Sequence, residues 1–361
     1  MRCYRRNWLK NFFLTAAMSL MLLPMQVQVE PPTVWAAPSV AAAETSLSKG
    51  AALRPGDTIG ILAPASNDNI EDYDRAIRDL QKRGYKIKVG TSCRSRDGYF
   101  AGTDSTRAAD LNRFFGDDEV RAILCLRGDY GSARVLDKLD YALIASHPKQ
   151  FIGYSDVTAL HIALGEKSRL STVHGPMLSS FEQGLDEKNY KAGTFLRGLK
   201  GELYPGEIPL PPQCHLETVQ PGRAEGIIMG GNLTVLVSLL GTPYEMKGEG
   251  ALLLIEDVGE DTYRIDRMLG QLWQNGLLSR VNGILVGDML GADDEWKEGD
   301  FRLPEVLEHY AKLAGKPMIK GMPAGHGKNN VYLPLGIHAV MEARADGSAS
   351  LKLDAATTQT K

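Results

Sequence analysis

The sequence predicts an α/β protein built on parallel β-sheets. Short, continuous apolar segments alternate along the chain with stretches whose apolar residues recur every three or four positions, which is the pattern of buried strands followed by helices. The chain has 361 residues, of which 43% are hydrophobic and 24% charged, and its net charge is −3. This composition excludes a disordered chain and a general nucleic-acid-binding protein. At about 150 residues per domain, the length predicts two domains.

Residues 1–43 have the features of a signal peptide. Residues 11–25 are almost entirely apolar, and small residues follow them, as they do before a cleavage site. This apolar stretch is shorter than the ~20 residues of a membrane-spanning helix, and an uncleaved anchor is the alternative. Four basic residues precede it: Arg2, Arg5, Arg6 and Lys10. Because the paired arginines resemble a twin-arginine motif, we expect export to the periplasm, cell envelope or medium by that route or by ordinary secretion.

The cysteines give no sign of a metal centre or a disulfide scaffold. The chain contains four of them, Cys3, Cys93, Cys125 and Cys214, and no two form a CxxC pair. Cys125 lies in an apolar strand and is expected to be a buried small side chain. No HExxH motif is present either, so we predict that the protein needs no metal or cofactor.

The N-terminal domain, predicted over residues 48–178, alternates between strands and helices. The first strand, 57–63, ends at a proline, and the helix after it has apolar residues at helical spacing up to a terminating Gly84. The strands that follow are continuously apolar, which predicts a parallel sheet covered on both faces by right-handed crossovers. The remaining predicted elements are strands 85–89, 120–126 and 150–154, and helices that begin near Ser105 and at Val157.

Residues 179–222 interrupt this alternation. They contain five prolines and little periodicity, which predicts an interdomain connection. A second α/β domain is predicted over residues 223–358. Its expected elements are helix 233–240, strand 251–255, helix 265–272, strand 283–286, a strand 333–343 with Gly336 inside it, and strand 349–353.

Ser155 stands between a predicted strand and a predicted helix. A tight turn at this point would lift the hydroxyl above the carboxyl edge of a parallel sheet, next to the free N–H groups of a helix N-terminus. This is the arrangement of a nucleophile elbow, although the sequence is not GxSxG. By itself the signal is weak, because Ser155 or Asp156 could equally serve as the helix N-cap.

A serine nucleophile needs a base, and His326 is the first candidate because it lies between Gly325 and Gly327. Glycine on both sides allows a sharp turn that exposes the imidazole. His161, inside the predicted helix, is expected to pack or cap, and His174 could line a site. For each histidine taken alone a structural role remains the alternative.

A catalytic imidazole also needs an acceptor for its second N–H group. Glu256 ends an apolar strand, where a carboxylate is costly unless it is paired or functional. It is therefore the expected orienting acid. Asp257, Glu260 and Asp261 lie in the same loop, and Glu260 is the fallback; a solvated acidic loop is the structural alternative.

The order of these and other motifs resembles the LD-carboxypeptidase family of serine peptidases, which includes murein tetrapeptide carboxypeptidases and microcin C immunity-type peptidases. The resemblance extends over about residues 54–345. It is carried by residues 61–66 (ILAPAS), 127–131 (RGDYG), 152–161 (IGYSDVTALH), 172–177 (TVHGPM), 230–233 (GGNL), 254–257 (LIED), 264–269 (RIDRML), 325–327 (GHG) and 333–336 (LPLG).

The resemblance implies a flavodoxin-like N-terminal domain, a swivelling α/β C-terminal domain and a homodimer. It implies that Ser155 is the nucleophile, His326 the base and Glu256 the orienting acid. The backbone N–H groups of Asp129 and Asp156 would form the oxyanion hole, where each donor contributes about 2.7–4 kcal/mol. Asp129 departs from the family, which usually has glycine there. If the position needs a positive φ, aspartate adds strain as well as negative charge.

The implied reaction is amide hydrolysis through an acyl-enzyme, which releases terminal D-Ala from a peptidoglycan-derived tetrapeptide. The bond cleaved joins D-Ala to the L-centre of diaminopimelate or Lys. Arg127, Arg264 and Arg267 lie near the matched motifs, without a firm role in substrate binding. Two other functions are considered: hydrolysis of an aminoacyl-nucleotide amide by a relative of the same family, and non-catalytic solute binding, in which Ser155 and His326 need not be close.

Overall fold

The computed structural model describes residues 47–356, 358 and 359. The predicted signal peptide, residues 1–43, lies outside the described residues. In the part of the chain that is described, no helix has the length and apolar character needed to cross a membrane.

The first half of the chain alternates strands with helices, as the sequence predicts. All five residues of its first strand are buried, which agrees with a sheet covered on both faces. The elements in chain order are β1 (Thr58–Leu62), α1 (Asp74–Lys82), β2 (Lys86–Val89), α2 (Asp104–Gly116), β3 (Val120–Cys125), α3 (Tyr141–Ser146), β4 (Gln150–Gly153), α4 (Thr158–Ser168), β5 (Val173–His174) and α5 (Tyr190–Leu199).

The second half contains a longer run of strands with fewer helices between them. Its elements are β6 (Gly206–Glu207), β7 (Glu217–Gln220), β8 (Gly222–Asn232), α6 (Leu233–Ser238), β9 (Leu252–Val258), α7 (Thr262–Gln274), α8 (Leu277–Arg280), β10 (Gly283–Leu290), α9 (Leu303–Ala314), β11 (Met318–Lys320), β12 (Leu333–Pro334), β13 (His338–Ala343) and β14 (Ala349–Leu353).

The first sheet has the strand order β2-β1-β3-β4-β5, and all these neighbours are parallel. This is the flavodoxin-like order. β12, which comes from the second half of the chain, extends the sheet as an antiparallel edge strand beside β5. The carboxyl ends of the parallel strands meet at one edge, and the residues that follow β3 and β4 are therefore brought together there.

The second sheet has the order β6-β14-β13-β8-β9-β10-β11-β7. Its four central strands, β8 to β11, are parallel, and the strands on either side of them pair antiparallel. Parallel pairing places the carboxyl ends of β9 and β10 at one edge. The mixed α/β class and the presence of two sheets are as predicted.

The predicted strand 333–343 is wrong, because the structure divides it between the two sheets. Leu333–Pro334 pairs with β5 in the first sheet, whereas His338–Ala343 pairs with β8 in the second. Gly336, between the two strands, has φ +76°, a left-handed conformation that glycine adopts without strain. Pro334 also lacks the N–H group that a continuing ladder would use.

The segment 179–222, expected to connect the domains, contains secondary structure of its own. α5 buries Phe195 and Leu199 completely. β7 pairs with β11 at the edge of the second sheet. The prolines that interrupt the periodicity of this segment are therefore compatible with short elements that pack on the domains.

The two halves of the chain are joined directly beneath the elbow that carries Ser155. The backbone N–H of Asn232 donates a 2.9 Å hydrogen bond to Oγ1 of Thr158, the first residue of α4. At Gly231 an added Cβ atom would lie only 2.4 Å from the same Oγ1 atom. The end of β8 and the start of α4 thus form one packed unit, which fixes the elbow relative to the second sheet.

Candidate active site

Ser155 forms a strained turn at the carboxyl end of β4. Its φ is +63°, a conformation that costs a non-glycine residue roughly 1–2 kcal/mol. Gly153 allows this turn, because an added Cβ atom there would lie 2.7 Å from the Val157 side chain. The hydroxyl is thereby held at the edge of the sheet, in the manner of a nucleophile elbow.

His326 connects the Ser155 hydroxyl to a buried carboxylate. Its Nε2 atom lies 3.0 Å from Oγ of Ser155, and its Nδ1 atom lies 2.8 Å from Oε2 of Glu256. The three residues the sequence singled out are therefore in continuous hydrogen-bond contact. A non-catalytic solute-binding protein would need no such contact, so the observed geometry does not favour that alternative.

The two glycines beside His326 allow the loop backbone to approach two carboxylates closely. An added Cβ atom on Gly325 would lie 2.8 Å from Oε2 of Glu256, and one on Gly327 would lie 2.5 Å from Oδ2 of Asp288. The imidazole is also less exposed than the flanking glycines led us to expect, since only 18% of the side chain is accessible. Glycine is needed at both positions because the carboxylates of Glu256 and Asp288 leave no room for a side chain.

Glu256 is fully buried near the end of β9. Burial alone would raise the pKa of Glu256, but the neighbouring His174 and His326 outweigh it and hold that pKa below its usual value. Burial would lower the pKa of His326, whereas the hydrogen bond and charge of Glu256 raise it above the usual value. An ionised Glu256 that accepts from Nδ1–H leaves Nε2 as the acceptor for the Ser155 hydroxyl.

Asp288, on β10, holds the loop that carries His326. Its carboxylate accepts a 2.8 Å hydrogen bond from the N–H of Gly327, and its own N–H donates to the carbonyl of Ala324. Burial is the main reason that the pKa of Asp288 lies above its usual value. Nothing in the sequence pattern marks this residue.

The loop after β3 approaches the elbow closely. An added Cβ atom on Gly128 would lie 3.2 Å from Cβ of Ser155 and 3.4 Å from the backbone nitrogen of Asp156. The next residue, Asp129, has φ +81°. Position 129 therefore does have the positive φ that favours glycine, and the backbone of Asp129 is strained.

The side chain of Asp129 points away from the packed part of this loop. It is 60% exposed, and its carboxylate lies 3.7 Å from the guanidinium of Arg127. Arg127 also pairs with Asp68 at 3.1 Å. The negative charge is thus partly neutralised and solvated.

Asp156 and Arg107 hold the other end of the loop. The Asp156 carboxylate accepts a 2.7 Å hydrogen bond from the N–H of Ser132, and burial raises the pKa of Asp156 above its usual value. The fully buried Arg107 donates to the carbonyls of Pro64 and Gly131, at 2.7 Å each. Arg107 gave no signal in the sequence because it lies in an ordinary amphipathic helix, α2.

The remaining candidates have structural partners. His161 bonds through Nε2 to the carbonyl of Gly153 at 2.9 Å, and burial lowers the pKa of His161 to about 3, so its ring is neutral. Asp257 accepts hydrogen bonds from Asn232 and Thr234. The fallback acid Glu260 lies 3.5 Å from Arg264, on a different set of contacts from Glu256.

A cavity of about 700 Å³ opens beside His326. Arg75 and Lys191 bring positive charge to its lining, and Tyr154 forms part of its wall. Asn330 also lines it and is only 2% exposed, with neither side-chain amide atom hydrogen-bonded among the described residues. Sequence reasoning missed Arg75, Lys191 and Asn330, since none of the three belongs to a motif. Within the described part of the chain, no group of His, Cys, Asp and Glu side chains could hold a metal ion.

An α/β protein with a serine elbow in one domain, and a histidine and a carboxylate supplied by the other, is organised like a two-domain hydrolase. Residues 59–175 match the LD-carboxypeptidase N-terminal domain, and residues 225–341 match the LD-carboxypeptidase C-terminal domain. The chain belongs to the LD-carboxypeptidase family, a family of peptidases.

Curated relatives and solved structures agree with this assignment. The chain is 42% identical to a probable murein peptide carboxypeptidase of Bacillus subtilis, over 81% of this chain and 91% of the relative. It is 31% identical to the murein tetrapeptide carboxypeptidase of Pseudomonas aeruginosa, over 79% of this chain and 92% of that protein. A muramoyltetrapeptide carboxypeptidase structure from Oxalobacter formigenes superimposes with a TM-score of 0.72 at 28% identity, covering 83% of this chain and 100% of that one. An MccF-like protein from Bacillus anthracis gives 0.73 at 28% identity, with 84% and 98% covered.

Proposed function

We propose that this protein is a serine LD-carboxypeptidase that removes the terminal D-Ala from peptidoglycan tetrapeptides. The observation that carries the proposal is the unbroken contact from Ser155 through His326 to Glu256, with distances of 3.0 Å and 2.8 Å. The names of the curated relatives support the substrate class.

In this mechanism His326 first acts as a general base. Its Nε2 atom takes the hydroxyl proton of Ser155 as Oγ attacks the carbonyl carbon of the scissile amide. The ionised Glu256 stabilises the resulting imidazolium through the Nδ1–H bond. The N–H groups of Asp129 and Asp156 are the proposed donors to the oxyanion.

His326 then acts as a general acid. It returns the proton to the amine of D-Ala, the C–N bond breaks, and an ester of Ser155 remains. A water molecule gives its proton to Nε2 and attacks the ester, which releases the shortened peptide and restores the Ser155 hydroxyl. Each proton taken by His326 is returned, so the cycle balances.

The cavity beside His326 is the proposed binding site for the charged parts of the peptide. A tetrapeptide carries several carboxylates, and Arg75 and Lys191 supply cations for them. Arg127, in contrast, pairs with Asp68 and Asp129. Arg264 pairs with Glu260 and Asp261.

The direct test is D-alanine release from L-Ala-D-Glu-diaminopimelate-D-Ala by the wild-type protein and by Ser155→Ala. We expect release by the wild type and none by the variant, with both folded. Ser168→Ala is the matched control, because this serine lies on α4 and, among the described residues, its hydroxyl bonds only to the carbonyl of Tyr141. Equal release by wild type and Ser155→Ala would exclude the proposed nucleophile.

Hydrolysis of an aminoacyl-nucleotide amide is the second candidate, favoured by the likeness to the MccF-like structure. The same three side chains would serve it, so a substrate panel decides. Cleavage of an aminoacyl-sulfamoyl adenylate, with the tetrapeptide left intact, would assign the protein to this activity.

We propose further that residues 1–43 direct export and that the protein is a homodimer. The basic and apolar pattern of these residues supports the first statement, and the family resemblance supports the second. Cell fractionation of the wild type beside a variant with Arg5→Lys and Arg6→Lys tests export and its route. Light scattering on the purified protein tests the dimer, for which we expect twice the mass of one chain.

A further inference from the structure

His174 is a fully buried histidine beside the carboxylate of Glu256. It ends β5, its side chain is fully buried, and neither ring nitrogen has a hydrogen-bond partner among the described residues. Its Nε2 atom lies 3.7 Å from Oε1 of Glu256. Within the described part of the chain, that oxygen has no hydrogen-bond partner either. An unpaired donor and an unpaired carboxylate oxygen, both buried, are costly, and here they face each other.

Glu256 therefore lies between two imidazoles. His326 contacts Oε2 at 2.8 Å, and His174 faces Oε1 at 3.7 Å. An ionised carboxylate can only accept hydrogen bonds, so the Nε2 atom of His174 must carry a hydrogen to interact favourably. A movement of less than 1 Å would bring this pair to the usual hydrogen-bond distance of about 2.9 Å.

We propose that His174 is a positioning residue for the reaction proposed above. It donates its Nε2–H to Oε1 of Glu256, which keeps the carboxylate ionised and turns Oε2 toward His326. This inference rests on the proposed function, because it assigns a role within the same site. Since His174 is fully buried, it acts through Glu256 and does not touch the substrate.

The role predicts a direction for the titration of His326. Without the donor, the free carboxylate is less stable, so the coupled pair of Glu256 and His326 takes up a proton more readily. Its apparent pKa rises. Besides Glu256 on β9 and His326 in the loop before β12, the titratable groups that act on His174, Glu256 or His326 are Asp257 on β9, Tyr154 after β4, His161 on α4 and Asp288 on β10.

Two substitutions separate the donor from the bulk of the side chain. His174→Phe removes the donor and keeps a ring, whereas His174→Gln places an amide N–H near the position of Nε2. We expect His174→Phe to lower kcat roughly 10- to 100-fold, the consequence of one unsatisfied buried group, and to leave KM nearly unchanged. His174→Gln should recover most of the loss.

The control is His161→Phe. It removes an equally buried imidazole that bonds to the Gly153 carbonyl instead of Glu256. We expect His161→Phe to leave the pKa of His326 unchanged, whatever its effect on the rate, because it removes no partner of the Glu256 carboxylate.

The experiment measures kcat and KM against pH and, independently, follows the His326 ring by NMR in the ¹⁵N-histidine-labelled full chain. The proposal expects a higher His326 pKa in His174→Phe, a value near wild type in His174→Gln and no shift in His161→Phe. An unchanged His326 pKa in His174→Phe, or an equal shift in His161→Phe, would overturn it. If the wild type releases no D-alanine, the proposed function fails, and the NMR titration still decides the role of His174.

Discussion

The carboxylate of Asp288 accepts a 2.8 Å hydrogen bond from the backbone N–H of Gly327. This bond ties the loop that carries His326 to β10, while Glu256, on the neighbouring strand β9, receives the Nδ1–H of the same imidazole. Two adjacent strands of one sheet thus supply two carboxylates to one loop. One carboxylate acts on the backbone of the loop and the other on its side chain.

The charge of Asp288 predicts a pH effect that is separate from its hydrogen bond. Asp288→Asn keeps an oxygen that can accept from Gly327 but removes a negative charge that helps to raise the pKa of His326. The midpoint of the acid limb of kcat/KM should therefore move to lower pH. Asp288→Ala loses the hydrogen bond as well, and its activity should fall about 10-fold or more. An acid limb in Asp288→Asn at or above the wild-type midpoint would contradict the assignment.

The wild-type protein should lose activity on the acid side at an unusually high pH for an imidazole. The proposed base must be neutral, and Glu256 raises the pKa of His326 above its ordinary value of about 6.5. As pH falls through that raised pKa, His326 binds a proton and can no longer accept one from Ser155. We expect the acid limb of kcat/KM to have its midpoint above about pH 6.5. A midpoint near pH 4 to 5 would point to a carboxylate as the essential base.

Asp129 predicts a test of strain against charge. Its φ of +81° suits glycine, and its carboxylate lies next to the proposed oxyanion donor. Asp129→Gly removes both the backbone strain and the negative charge, so we expect a higher kcat. Asp129→Ala removes the charge alone and should unfold more easily than Asp129→Gly by about 1 kcal/mol. Urea denaturation and initial rates of the three proteins measure the two effects. Equal stability of the glycine and alanine variants would exclude backbone strain at this position.

The fold class could be predicted from sequence, and Ser155, His326 and Glu256 could be singled out, because each is marked by a pattern in the neighbouring residues. Continuous apolar strands and a serine after one of them are visible in short windows. His326 between two glycines is equally visible. Their assembly is not local, since Ser155, Glu256 and His326 are far apart along the chain. Here only the ordered family motifs indicated that they meet.

The supporting residues could not be predicted, because their roles depend on which loops meet at the sheet edges. Arg107 looks like one face of a helix until its bond to the Gly131 carbonyl is seen. Asp288 lies on β10, just beyond the apolar residues 283–286 that predicted the strand, and carries no periodic signal. The prediction of one strand over residues 333–343 was wrong for a related reason. Both of its parts are apolar, and only the turn at Gly336 directs them into different sheets.

Gly325 provides the most direct test of how tightly the loop of His326 is packed. An added methyl group would lie 2.8 Å from Oε2 of Glu256, and φ is +130°. Gly325→Ala must therefore displace either the loop or the carboxylate, and both changes break the contact between His326 and Glu256. We expect kcat/KM to fall at least 100-fold, which is the range seen when small displacements misplace catalytic groups.

The matched control for this substitution is Gly347→Ala. Gly347 has a positive φ of +92°, but an added Cβ atom would have no neighbour within 4 Å. This variant carries the backbone strain without the collision, so we expect a loss of about 1 kcal/mol of stability and wild-type activity. Kinetics and denaturation of both variants give the comparison. Full activity in Gly325→Ala would mean that the loop can move away from Glu256 without cost, and the contact between His326 and Glu256 could then not be required for turnover.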